Sequence, residues 1–204
     1  MHTVADNYRG CGMEQSAPMA SGIGRTLMSE KQATIDIIAD IFCQAVKKTL
    51  DKSTRKSIKY SRTIQIIPKV SLRPEIGCFV QFTGDYNGLV VVNFSADAAM
   101  LLYRSYMLAM GMPESELAGD ATSAEVVDTM GEMTNQFMGK AMQMVEGKYD
   151  LTSYIGQPKA LSLNTAITLT PDLDFQDNRR LVFSLETHRF HMEMALERTE
   201  FVAL

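Results

Sequence analysis

Residues 122–147 read TSAEVVDTMGEMTNQFMGKAMQMVEG, and the period of this stretch decides how the chain is built. Turning by about 100° per residue, Val126, Met130, Met133, Phe137, Ala141 and Met144 fall on one side, the stripe of a helix that buries one face. The helix is expected to start at Thr122 or Ser123, Thr122 and Glu125 having the spacing of a capping box, and Gly147 is the expected C-terminal cap. The opposite side carries Asp128, Glu132, Asn135 and Gly139 in one row, with Glu146 below them. Glu132 and Asn135 are i, i+3 neighbours, so their Cβ atoms should lie ~5–6 Å apart. Exposed acids are ordinary on such a helix. Asn and Gly are not, because Asn competes for backbone hydrogen bonds and Gly costs about 1 kcal/mol relative to Ala. Gly131 and Gly139 flank the pair, and bare backbone there would let another protein approach closely.

Outward from this helix the chain alternates between periods. Upstream, Ile35, Ile38, Ala39, Phe42 and Val46 predict a first helix over about 31–50. Residues 63–72 predict a strand interrupted by Pro68, as suits an edge or a bulge. Residues 78–82 and 89–94 predict a hairpin turning at Asn87-Gly88. Ser95 predicts the cap of a second helix over about 96–110, ended by Gly111, and 113–117 a short turn or helical piece. Downstream, strands are expected over about 160–169, 180–186 and 189–196, the last with Phe190, Met192, Met194 and Leu196 on one face. The order α-β-β-β-α-α-β-β-β, joined by hairpin-length links, defines an α+β domain with a largely antiparallel sheet packed with long helices.

Composition limits what such a domain does. The 204 residues are 46% apolar and 22% charged, with a formal net charge of −4, which argues against general nucleic-acid or membrane-surface binding. Seven cations between Lys47 and Arg62 read as a solvated helix end, where cations are favoured; docking of an acidic partner is the lesser alternative. The three cysteines are odd in number, with no CxxC, which implies thiols in a reducing cytoplasm. On a strand, His188 and His191 point to opposite faces, so no metal site is expected. The fifteen methionines are read mainly as core filler. Residues 1–28 lack a sustained period and are expected to form a disordered or loosely packed tail, leaving 29–204 as the domain, with Met28 a candidate start. No P-loop, G-x-S-x-G or H-E-x-x-H is present.

The row Asp128, Glu132, Asn135, followed by Pro158, resembles the D/S-x3-E-x2-N-x22-P signature of the CheC/CheX chemotaxis phosphatases, with every spacing matched. The resemblance implies a pseudo-twofold α+β domain. Asp36, Asp40 and Cys43 on the first helix stand at the same offsets, with Gln44 at the place of Gln136 and Pro68 near that of Pro158. On that alignment only the second half keeps a competent site, as in CheX-type members. The resemblance further implies that the chain dephosphorylates the phospho-aspartate of a CheY-like response regulator. Asn135 would orient the attacking water, and Glu132 would pair with the regulator's lysine. Asp128 would border the partner in a supporting role and Pro158 would be structural; Gly139, which the signature does not demand, is expected to give the partner close approach. Such a phosphatase needs no cofactor of its own, Mg²⁺ being carried by the regulator, and acts in the cytoplasm as a homodimer. Two alternatives stand beside this reading. One is a non-catalytic binding module of a two-component or flagellar-switch assembly. The other is a structural homodimer that pairs through an edge strand such as 189–196.

Overall fold

A computed structural model describes residues 22–169 and 175–197. The elements are α1 (Gly22–Thr54), β1 (Ile58–Tyr60), β2 (Gln65–Ile66), β3 (Ser71–Leu72), β4 (Ile76–Gly84), β5 (Gly88–Phe94), α2 (Ala96–Ala109), a 3₁₀ turn (Glu114–Glu116), α3 (Ala124–Tyr149), β6 (Ser153–Ile155), β7 (Lys159–Ser162), β8 (Ile167–Thr168), β9 (Phe175–Leu185) and β10 (His188–Glu197). The first helix therefore starts at Gly22 rather than near Lys31, inside the segment expected to be a loose tail; the rest of that segment, 1–21, lies outside the described residues.

The main sheet runs β1-β9-β10-β5-β4-β6, with β2 also on β9 and β7 also on β4. Every pairing is antiparallel. This order is a palindrome about the β10–β5 junction. The hairpin β4–β5 mirrors β9–β10, β1 mirrors β6, and β2 mirrors β7. A separate two-stranded sheet, β3–β8, takes one strand from each half. The chain is thus two related halves, α1–β5 and α3–β10, with α2 linking them. Each half lends its short strand to the other's hairpin.

The helices cover one face of the sheet. Phe42, Phe82, Phe94, Phe137, Phe183 and Phe190 are all essentially inaccessible, each contributing ~1.5–3 kcal/mol by its burial. Phe190 stacks on both Phe94 and Phe183, with ring centroids 5.3 and 5.0 Å apart. The alternation of Phe190, Met192, Met194 and Leu196 puts all four into this core. The other face holds a smaller cluster, Leu89, Val91 and Ala195 under Ile67, Val70 and Leu72. Residues 189–196 are consequently interior, paired on both sides, and are not the edge that the sequence suggested for pairing between chains.

Local signals were mostly kept, with three exceptions. Ser95 caps α2, its hydroxyl accepting from Ala98 N, and Gly111 turns away at φ +92°. At the hairpin, however, Gly88 is already strand. The turn is held instead by Asn87, whose Oδ1 accepts from Gly84 N at 2.9 Å. The start of α3 is capped by Ser123, whose Oγ accepts from Val126 N. Thr122 donates to Asp120 instead, and those bonds hold the Asp120 carboxyl below its usual range. Glu125 accepts from the Tyr103 hydroxyl rather than closing a capping box. Finally, α3 runs through Gly147 to Tyr149 and ends on Asp150 in the left-handed region, φ +56°. In the basic stretch, Lys47 bonds Asp51 and the Ile58 carbonyl at the end of α1, and Lys56 pairs with Glu186 at 2.9 Å.

Candidate functional site

The geometry begins with α3. Met130, Met133, Phe137 and Ala141 are buried, which fixes the rotation of the helix and leaves Asp128, Glu132, Asn135 and Gly139 all exposed. Met144, the last residue of the expected stripe, is only half-buried. The buried face is wider than the sequence stripe: Thr129 and Thr134 lie inside it because their hydroxyls donate to the Glu125 and Met130 carbonyls one turn back, at 2.7 Å each. That satisfies two polar groups without water.

Glu132 is tethered. Gln136 Nε2 donates to Glu132 Oε1 at 3.0 Å and reaches the Tyr106 hydroxyl of α2 at 3.4 Å. The Asn135 carboxamide has no hydrogen-bond partner among the described residues, which leave both its donors and its acceptor unused. The two glycines differ. A Cβ on Gly131 would lie 3.2 Å from the Ala160 Cβ of β7, whereas one on Gly139 would meet nothing within 4 Å. Gly131 therefore serves the chain's own packing, not a partner's approach. Pro158 is half-buried in the link from β6 to β7, two residues before Ala160. Through the Ala160–Gly131 contact it stands near the turn of α3 that carries Glu132.

The first half lacks this pair, and its correspondence differs from the one read from sequence. Each long helix is followed by its strand at the same interval, Thr54 to Ile58 and Tyr149 to Ser153. Counting back from the helix ends superposes Phe42 on Phe137, both buried. It then places Asp40 at the position of Asn135, and Ile37 at that of Glu132. Cys43 falls on Met138 and is core, 2% exposed, its thiol pushed up to about 12 by burial and then by Asp40. It cannot be the counterpart of an exposed asparagine. Nor is Pro68 the counterpart of Pro158, since it follows β2 while Pro158 precedes β7. Asp36 is engaged by the buried Arg179 at 2.8 Å. A depression of about 370 Å³ opens beside Asp40 and Gln44, against Tyr60, Ser61 and Arg62. Sequence reasoning missed Gln136 as a tether, although its i+4 spacing from Glu132 was there to find.

Together these features define the class: the chain has the CheC/CheX-like fold, with an outward carboxylate and carboxamide one turn apart on the second long helix. Solved structures with this fold include chemotaxis protein CheX from Desulfovibrio desulfuricans, at 19% identity over 78% of this chain and 99% of that one, TM-score 0.65. FliY from Thermotoga maritima matches at 18% identity over 83% and 90%, TM-score 0.60. CheX in a CheX–CheY–BeF3–Mg²⁺ complex from Borrelia burgdorferi matches at 13% over 78% and 97%, TM-score 0.57. By sequence the chain belongs to the family described as Protein of unknown function (DUF3334), whose family model matches residues 29–204. No curated protein matches it.

Proposed function

We propose that this protein docks a CheY-like response regulator and hydrolyses its phospho-aspartate, with Asn135 and Glu132 as the working pair. The observation that carries the proposal is the asymmetry on α3: a carboxylate already held in place, and beside it a carboxamide with no partner among the described residues. The likeness to a CheX that forms a complex with CheY, BeF3 and Mg²⁺ supports the choice of partner.

The chemistry asks little of this chain beyond placement. Water oxygen attacks phosphorus, the acyl-phosphate P–O bond breaks with its electron pair onto the aspartate, and the water's protons pass to phosphate and solvent. Such a transfer depends on positioning and charge neutralisation more than on covalent help. A neutral amide can accept from the water and donate to the phosphoryl oxygens without adding negative charge beside them. Glu132 would take a cationic side chain of the regulator, a charge-assisted bond that fixes the docking angle. The regulator would carry the Mg²⁺. Asp128 and Gly139 would border the contact, and Pro158 would act through its place beside α3.

The test is phosphate loss from a phosphorylated regulator of the same organism, with and without the protein. The wild type should shorten the lifetime of the phosphoryl group, and Asn135→Ala should slow turnover by about 100-fold while keeping its thermal midpoint. If Asn135→Ala still turned over at the wild-type rate, the pair would have no catalytic part; if the wild type itself left the lifetime of the phosphoryl group unchanged, a binding module without hydrolysis would be the surviving reading. Size measurement in solution tests the proposed homodimer.

A further inference from the structure

We infer that Gln136, supported by Tyr106, is a positioning residue that presets Glu132 for docking while leaving Asn135 free to be set by the partner. This rests on the reading of the site proposed above and adds a division of labour to it.

A glutamate on an exposed helix face samples several rotamers, and holding it in one costs side-chain entropy. Glu132 is exposed, yet its Oε1 already accepts from Gln136 Nε2 at 3.0 Å. Gln136 is half-buried, and the same nitrogen approaches the Tyr106 hydroxyl at 3.4 Å. A carboxamide nitrogen has two hydrogens, so it can serve both oxygens at once. Tyr106 in turn packs against the main core from α2. A path of contact therefore runs from the rigid core through Gln136 to one oxygen of Glu132. The second oxygen, Oε2, has no partner among the described residues and can take a cation. Among the described residues no such tether reaches the Asn135 side chain.

The consequence is a kinetic split. Loss of the tether should weaken encounter with the regulator, because Glu132 must then be ordered at the moment of binding. It should leave the hydrolytic step alone, because Asn135 is untouched.

The experiment compares wild type, Gln136→Ala, Tyr106→Phe, Glu132→Ala and Glu132→Ala/Gln136→Ala. Each acts on a CheY-like regulator phosphorylated by acetyl phosphate, with thermal midpoints recorded for all. Gln136→Ala should raise KM about tenfold with kcat held within twofold, and Tyr106→Phe should raise it less. The double variant should be no worse than Glu132→Ala alone, since the tether has no role once its carboxylate is gone. An unchanged KM in Gln136→Ala with active wild type overturns the inference alone. So does a double variant whose loss is the product of the single losses, the mark of a merely structural role. Absence of any phosphate loss with wild type overturns the reading of the site, and the inference falls with it.

Discussion

Gly139, like Asn135, carries a helix cost that the fold itself does not explain. It sits inside α3 with open space where a Cβ would be, so Gly139→Ala should stabilise the helix by about 0.5–1 kcal/mol and raise the thermal midpoint accordingly. If the glycine is there for close approach of a regulator, the same variant should dock more weakly. A rise in midpoint with unchanged KM would remove Gly139 from the contact surface. Gly131→Ala makes the control, because its Cβ meets Ala160 at 3.2 Å and should bring no such gain. At this scale the outward row was legible, since a buried stripe of Met130, Met133, Phe137 and Ala141 dictates what points away. Cys43 was misplaced because two amphipathic helices agree at many offsets; only the spacing from helix end to following strand separates the right alignment from its neighbour.

Glu193 of β10 shows what an element's neighbours can reverse. Strand alternation puts it opposite Met192 and Met194, on a face that sequence alone would leave in water. The β3 segment crosses that face, and Glu193 is fully buried. Its Oε2 accepts from Ser71 N at 2.9 Å, and its Oε1 from Arg180 Nη2 at 2.9 Å, with Arg73 Nε at 3.5 Å. The carboxylate thus ties β3 and β9 to the outer side of the sheet. Glu193→Ala would leave two guanidinium groups and a backbone N–H facing each other without their acceptor. A loss of about 1–3 kcal/mol is the expected size, because the Ser71 N–H loses its acceptor while the two guanidinium groups, 48% and 23% exposed, can turn to water. Urea denaturation measures it as a drop in midpoint, and a shift worth under 1 kcal/mol would show that water replaces the carboxylate there. None of this was legible beforehand, because Ser71 and Glu193 are brought together only by the long-range crossing of β3. The helices, the β4–β5 hairpin and the Ser95 cap were legible, since each is decided by residues a few positions apart.

At the scale of the molecule, the palindromic sheet couples the halves so that neither is complete. β1 belongs by sequence to the first half but pairs only with β9, and β6 belongs to the second but pairs with β4. The centre of the sheet is the β5–β10 ladder, which joins one half to the other from Phe94–Phe190 to Gly88–Leu196. Long helices α1 and α3 pack on each other, and α2 reaches both β5 and β10 at that junction. A half cut free would lose the partner strands of β1 and β5 and would expose both Phe82 and Phe94 beside unpaired backbone, a cost that a small core cannot offset. The chain should therefore unfold in one step. Far-ultraviolet circular dichroism, which follows the helices, and near-ultraviolet tyrosine signals, which follow packing, should trace coincident urea transitions. A fragment of residues 22–95 should remain unfolded alone and gain structure only when mixed with residues 96–204. Separate transitions, or a fragment that folds without its complement, would mean that the exchanged strands decorate two independent units rather than build one.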